Sequence, residues 1–253
     1  MQSNIDNHLQ SHDLFRMLND AHSPAVDSVM GVLAGLGDGL VIALCCAVLM
    51  LYRFRLGLAA TAAFLLSGIF AQILKRMFDM PRPPAVLENV HVLGAALQSH
   101  SFPSGHSTSD GVMVLLAFLI WKYGDWRAWL MAGLFLIAAY GRIYGGVHFP
   151  LDVVVGLGLG MATMWFCHRW SLSWPVARWQ ASEAWQQWWW RCVGMIVVIE
   201  ASVLGLGYQM QPNTAQILAT ILPVAALVLL MRFWKVQIAQ FKEHERDAER
   251  DAE

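Results

Sequence analysis

The sequence predicts an all-α protein: a polytopic transmembrane helical bundle of about seven spans, with its N-terminus outside and its C-terminus inside. Three observations predict it. Hydrophobic residues are 57% of the 253 and charged residues 14%, whereas a soluble domain carries about 25% charged. Mean hydropathy is +0.47, and the apolar residues fall into runs of spanning length, roughly 17–25 residues. The basic residues, finally, sort to one side of the resulting topology.

In chain order, residues 1–28 are polar, but Leu14, Phe15, Met17 and Leu18 recur at helical spacing, which predicts an amphipathic interfacial segment. Spans are expected at 29–52, 57–77, 105–121, 128–143, 151–168, 192–210 and 215–233. They divide the chain into a catalytic transmembrane core (29–170), a cytoplasmic interfacial segment (171–191), two additional helices (192–234) and a charged cytoplasmic tail (235–253). Eight tryptophans crowd into 165–190 beside Arg169, Arg178 and Arg191, as rings at headgroup level do. With the 52–57 turn inside, twelve of the seventeen Lys and Arg residues are cytoplasmic. The five left outside are Arg16, Lys75, Arg76, Arg82 and Arg142. Four of these flank gaps that also hold the uncommon polar residues.

A net charge of −1 offers no global field for nucleic acid, so cationic chemistry must be local. Cys45, Cys46, Cys167 and Cys192 lie in or beside apolar runs and read as small hydrophobes. No cleaved signal peptide is evident.

Three segments should meet at the outer face. Lys75-Arg76-Met77-Phe78-Asp79-Met80-Pro81-Arg82-Pro83-Pro84 closes the second span, its prolines ending the helix and leaving Lys75 and Arg82 near the water line. Ser101-Phe102-Pro103-Ser104-Gly105-His106-Ser107 opens the third. Ser104 can cap that helix, Gly105 lets an anion approach its free N–H groups, and His106 puts a proton donor beside them. Arg142-Ile143-Tyr144-Gly145-Gly146-Val147-His148-Phe149-Pro150-Leu151-Asp152 predicts a new helix near 148–150. His148 and Asp152, four apart, then share a face, so the carboxylate can hold one ring N–H and leave the other nitrogen bare. Three cations, helix-end N–H groups, a carboxylate-held histidine and a second histidine suit phosphoryl transfer.

These motifs, Lys75-x6-Arg82-Pro83, Pro103-Ser104-Gly105-His106 and Arg142-x5-His148-x3-Asp152, resemble the signature of the type 2 phosphatidic acid phosphatase superfamily. The resemblance implies that His148 attacks phosphorus, Asp152 orients it and His106 protonates the leaving oxygen. Lys75, Arg82, Ser104, Gly105 and Arg142 would bind the phosphate. The implied protein is a metal-independent lipid phosphatase, without cofactor, on the periplasmic side of a bacterial-type inner membrane. Its substrate would be a lipid phosphate or diphosphate of the phosphatidic acid, phosphatidylglycerophosphate, undecaprenyl diphosphate or lipid A class. Its partners are that lipid and the bilayer, with no nucleic acid and no obligate protein partner. The same motifs fit a phosphotransferase that passes the phosphate to another lipid, and a carrier could use the cations without the histidines. The family usually has serine before the third-motif arginine, where this chain has Gly141.

Other polar residues carry weaker expectations. Asp110 repeats the four-residue spacing after His106, although a helix's first turns explain it as well. Asp79 can offset the motif cations, and His91 and His100 are loop histidines. Asp38, between two glycines, marks either an intramembrane acid or a break, and Glu200 is an acid between helices.

Overall fold

The computed structural model describes residues 12–252, with side chains through 239, and contains only helices and turns within that range. Among the described residues nine helices exceed two turns: α1 (His12–Asn19), α2 (Pro24–Ala34), α3 (Gly39–Tyr52), α4 (Phe54–Phe78), α5 (Gly105–Trp121), α6 (Trp126–Tyr144), α7 (Pro150–Ser171), α8 (Glu183–Leu206) and α9 (Gln216–Ala252).

The apolar run expected as one span over 29–52 is broken. α2 ends at Ala34, a 3-10 turn covers Gly35–Gly37, and the extended Asp38 starts α3 by accepting the Leu40 N–H at 2.9 Å. The two pieces meet at 56°. Glycine lowers helix propensity on both sides of a residue that caps better than it propagates, so a break costs least there.

Among the described residues four helices are long and apolar enough to cross a membrane, or five if the bent α2–α3 pair is one span. Large apolar side chains on their outer surfaces, such as Leu65, Ile69 and Ile73 on α4 and Ile196, Ile199 and Val203 on α8, are exposed. Such surfaces are favourable against lipid, and the chain is a multi-pass membrane protein. α5 and α6 are not among the helices long and apolar enough to cross: α5 is 17 residues long, about 26 Å at 1.5 Å per residue, and carries His106 and Asp110, and α6 carries Arg142.

α8 starts at Glu183, ahead of the expected 192, because Ser182 caps it and accepts the Trp185 N–H. The last four tryptophans of the aromatic segment are therefore helical, and Trp189 meets Phe54 edge-on at 4.9 Å. On α1, Phe15 is fully buried against Phe149 and Val153 while Met17 is exposed. This short helix thus turns an aromatic residue onto the protein rather than only towards lipid. The residues before it lie outside the described range.

α5 and α7 run parallel and in close contact at the centre. A Cβ at Gly160 would lie 2.0 Å from the Thr108 carbonyl oxygen, and one at Gly111 would lie 2.3 Å from that of Leu157. Only glycine permits this approach, the small-residue packing by which membrane helices associate without a hydrophobic drive. It aligns the N-termini of α5 and α7 at one end of the bundle. At the other end, Arg53 donates to the Ile120 carbonyl, and Arg55 to those of Ser171 and Leu172.

Replacing Gly160 with leucine is expected to prise α7 from α5. The cost should be about 1–3 kcal/mol, as for overpacking elsewhere, read as a lowered melting temperature of the detergent-solubilised protein. An unchanged melting temperature would contradict the contact.

Candidate active site

Each sequence motif lies at a helix terminus at the same end of the bundle. α4 closes at Phe78 with Asp79 in the left-handed region (φ 39°), and the chain then turns through its prolines to Arg82. α5 opens behind Ser104, whose side chain accepts the Ser107 N–H at 3.3 Å and the Ser107 hydroxyl at 2.9 Å. α6 closes just past Arg142. Both Val147 N–H and His148 N–H return to the Arg142 carbonyl at 3.2 Å before α7 begins at Pro150.

Asp152 joins the second and third segments. Its carbonyl accepts the Ser104 N–H at 3.0 Å. Its Oδ2 accepts the Ser101 hydroxyl at 2.5 Å and the Phe149 N–H at 2.9 Å, and faces His148 Nδ1 at 3.4 Å. His148 is 2% exposed. Its other nitrogen, Nε2, lies 3.1 Å from Arg82 Nη1. A guanidinium only donates, so Nε2 carries the lone pair and Nδ1 the proton facing Asp152. Burial first, then the Arg82 and Arg142 guanidiniums and the Lys75 ammonium, holds the His148 pKa well below the ordinary histidine value. The ring is therefore neutral near pH 7, as a nucleophilic imidazole must be.

The first segment's cations are held by carbonyls. Lys75 Nζ donates to His100 O at 2.7 Å and reaches Ser101 O at 3.5 Å. Arg82 donates from Nε to Ser99 O at 2.9 Å and from Nη1 to Val147 O at 3.0 Å, and Nη2 reaches His100 O at 3.4 Å. Carbonyl partners fix the direction of a cation without cancelling its charge, so the pocket keeps a positive field. Arg142 is buried with its Nε unpartnered. His106 lies within electrostatic reach of Arg142, His148, Arg82 and Lys75, and a Cβ at Gly105 would have the Lys75 side chain 4.0 Å away as its nearest neighbour. Lys75, Arg82, Ser104, Gly105, His106, Arg142, His148 and Asp152 thus gather at one end of the bundle, around the start of α5.

Gly141 has a packing reason. A Cβ there would lie 2.9 Å from the Ala34 Cβ on α2, so the α2–α6 contact leaves no space for a serine side chain.

Sequence reasoning missed Ser101 as a site residue, and missed the carbonyls of Ser99, His100 and Val147. Ser101 stands three residues before Ser104, and its hydroxyl was the available signal, but its pairing with a residue 51 positions away was not. His91 accounts for itself locally: its Nε2 meets Asp27 Oδ1 at 3.0 Å, its ring stacks on His22 at 3.9 Å, and Tyr144 donates to the same carboxylate. His100 pairs with Asp79 at 3.4 Å in an exposed position. Among the described residues no three His, Cys, Asp or Glu side chains are grouped to hold a metal ion.

Comparison with known proteins gives a consistent picture. The family model described as PAP2 superfamily matches residues 56–175. Bacitracin transport permease protein BcrC of Bacillus licheniformis is 33% identical over 107 residues, 42% of this chain and 51% of that protein. The chain thus spans about half the length of that relative. Undecaprenyl-diphosphatase of Sulfolobus acidocaldarius is 26% identical over 155 residues, 58% of this chain and 72% of that protein. Among solved structures, Aquifex aeolicus LpxE is similar with a TM-score of 0.56 and 31% identity, covering 64% of this chain and 94% of that one.

If the gathered cations form one anion site, inorganic phosphate should raise the melting temperature of the purified protein. At a hundredfold excess over Kd the stabilisation would be about 2.7 kcal/mol. Arg82→Ala and Arg142→Ala should each remove most of it; equal phosphate responses in both variants and wild type would mean that these cations do not hold the phosphate.

Proposed function

Because this chain belongs to the PAP2 superfamily, we propose that it hydrolyses a lipid phosphate or diphosphate through a phosphohistidine on His148. The observation that carries this reading is the His148 ring itself. Its proton is directed at Asp152, its lone pair at Arg82, and the pocket around it holds two further cations and a second histidine.

In the reading, an incoming phosphate takes over the Arg82 donor and uncovers Nε2. Nε2 attacks phosphorus and the bond to the leaving oxygen breaks, while protonated His106 gives that oxygen its proton. Asp152 stabilises the charge that develops on the ring through the Nδ1 proton, as in other carboxylate-held histidines. Neutral His106 then takes a proton from water as the water oxygen attacks phosphorus. The N–P bond breaks, its electron pair returns to Nε2, and phosphate leaves. Lys75, Arg82, Arg142, the Ser104 hydroxyl and the Gly105 N–H neutralise the non-bridging oxygens, charge stabilisation that Mg²⁺ supplies in other phosphoryl-transfer enzymes.

The topology proposed with this chemistry has seven spans, counting α5 and α6 with the others. The N-terminus and the site lie on the outer, periplasmic side and the C-terminus inside. The distribution of Lys and Arg supports it, as does the placement of Arg53 and Arg55 at the end of the bundle opposite His148. The substrate class rests on the apolar helical setting of the pocket and on the named activity of the undecaprenyl-diphosphatase relative.

Wild-type protein in detergent should release phosphate from at least one lipid in a panel of undecaprenyl diphosphate, phosphatidic acid, phosphatidylglycerophosphate and lipid A. His148→Ala should fold and lose about 10⁴-fold or more of the rate, the scale seen when a nucleophile is removed. Full activity in that variant would rule the mechanism out. The pH dependence has a definite sign. Only neutral His148 attacks, and its pKa is depressed, so kcat/KM should hold its plateau below about pH 6.5, the ordinary histidine value. An acid limb at or above that pH, on a substrate that does not titrate there, would contradict the neutral buried ring.

A further inference from the structure

The family match ends at residue 175, which leaves α8, α9 and their connection without a part in the reaction. That connection presses on the broken helix. A Cβ at Gly31 would lie 1.9 Å from Thr214 Oγ1, and one at Gly35 would lie 2.6 Å from the Ala215 Cβ. Met210, Ala215 and Leu218 share one buried cluster with Val41 and Leu44 of α3. At the break, Asp38 is buried, and its Oδ2 accepts the Tyr208 hydroxyl at 2.8 Å.

One residue back, the break meets α5. The Asp110 carboxylate lies against Gly37, where a Cβ would come 2.5 Å from Oδ1 and 2.8 Å from Oδ2. Asp110 is 0% exposed, and neither of its oxygens has a hydrogen-bond partner. Arg142 presents the complementary group, a buried Nε–H also without a partner, and the acids in electrostatic reach of it are Asp110 and Asp38. Buried polar groups are nearly always satisfied. An acid and a guanidinium N–H are thus left over around one helix break, which packs Gly37 on Asp110 and Ala34 on Gly141 beside Arg142, and each is of the type that satisfies the other.

We propose that Asp110 is a positioning residue for Arg142, fixing the direction in which its guanidinium meets phosphate, and that the α8–α9 connection holds the Asp110 seat through Tyr208 and Asp38. The inference rests on the phosphate-binding reading of Arg142 above and extends it to the part of the chain beyond the family region. The C-terminal hairpin then braces the helix break from behind, so that the break can offer a glycine face to Asp110.

The sign of one substitution tests this. Replacing an acid with a neutral amide cannot make the pocket less positive, so by charge alone phosphate binding stays the same or tightens. Loss of positioning loosens it. The measurement is the concentration of inorganic phosphate giving half-maximal thermal stabilisation of the full-length protein in detergent. Asp110→Asn should raise that concentration roughly tenfold, the scale of losing a supporting residue behind a ligand, and should raise KM for the lipid more than it lowers kcat. Tyr208→Phe should shift it the same way by a smaller factor. An unchanged or lower concentration in Asp110→Asn overturns the proposal. If that variant does not fold, Tyr208→Phe decides, and an unchanged value there overturns it equally. A wild-type protein indifferent to phosphate would remove the anion site itself, whereas a responsive wild type with variants that respond just as it does removes only the role of Asp110.

Discussion

Asp152 is the point at which separate parts of the chain are tied together. Its carbonyl takes the N–H of Ser104 and its carboxylate takes the hydroxyl of Ser101, while the same carboxylate faces His148 and receives the N–H of Phe149. The start of α7 is thereby fixed to the start of α5. This is possible because glycines let the two helices approach to backbone contact. Were they held apart by ordinary side chains, the Ser104 and Asp152 backbones could not meet, and the two histidines would belong to different places.

The cations depend on the same junction for a different reason. Lys75 and Arg82 come from a proline-stiffened exit of α4, and carbonyl oxygens of residues 99–101 and 147 point them inward. A carboxylate in those positions would hold them as firmly and cancel the field the site needs. Carbonyl dipoles hold direction and leave net charge, so the donors are already aimed inward. Burial makes each interaction stronger and each unpaired group more costly. The two unpaired groups behind the site, on Asp110 and Arg142, are for that reason the most informative atoms in the bundle.

Around this junction the helix break at Asp38 links the motif-bearing helices to the rest. α2 lies against Gly141 on one side and against the α8–α9 connection on another, and α3 continues into the core shared with α8 and α9. Sequence beyond the motifs thus reaches the helix that carries Arg142 through α2.

The helical class and the membrane setting were legible in the chain, as were the residues proposed for the candidate site, because each is written in local pattern. Apolar runs of spanning length, prolines after Phe78, Ser104 before Gly105 and the four-residue step from His148 to Asp152 need no distant contact to be read. Helix ends were less legible: Asp38 between glycines allowed a break, but the run over 29–52 was read as one span because hydropathy does not register a cap, and the start of α8 at Glu183 was missed because tryptophan reads equally as interface or helix. Folding in three dimensions was needed to show that Ser101 donates to Asp152 and that loop carbonyls aim Lys75 and Arg82. The same holds for the lack of room at Gly141 beside Ala34 and for Asp110 facing Gly37. Those are contacts between residues tens of positions apart, set by how closely helices pack, and no periodicity along the chain encodes that distance.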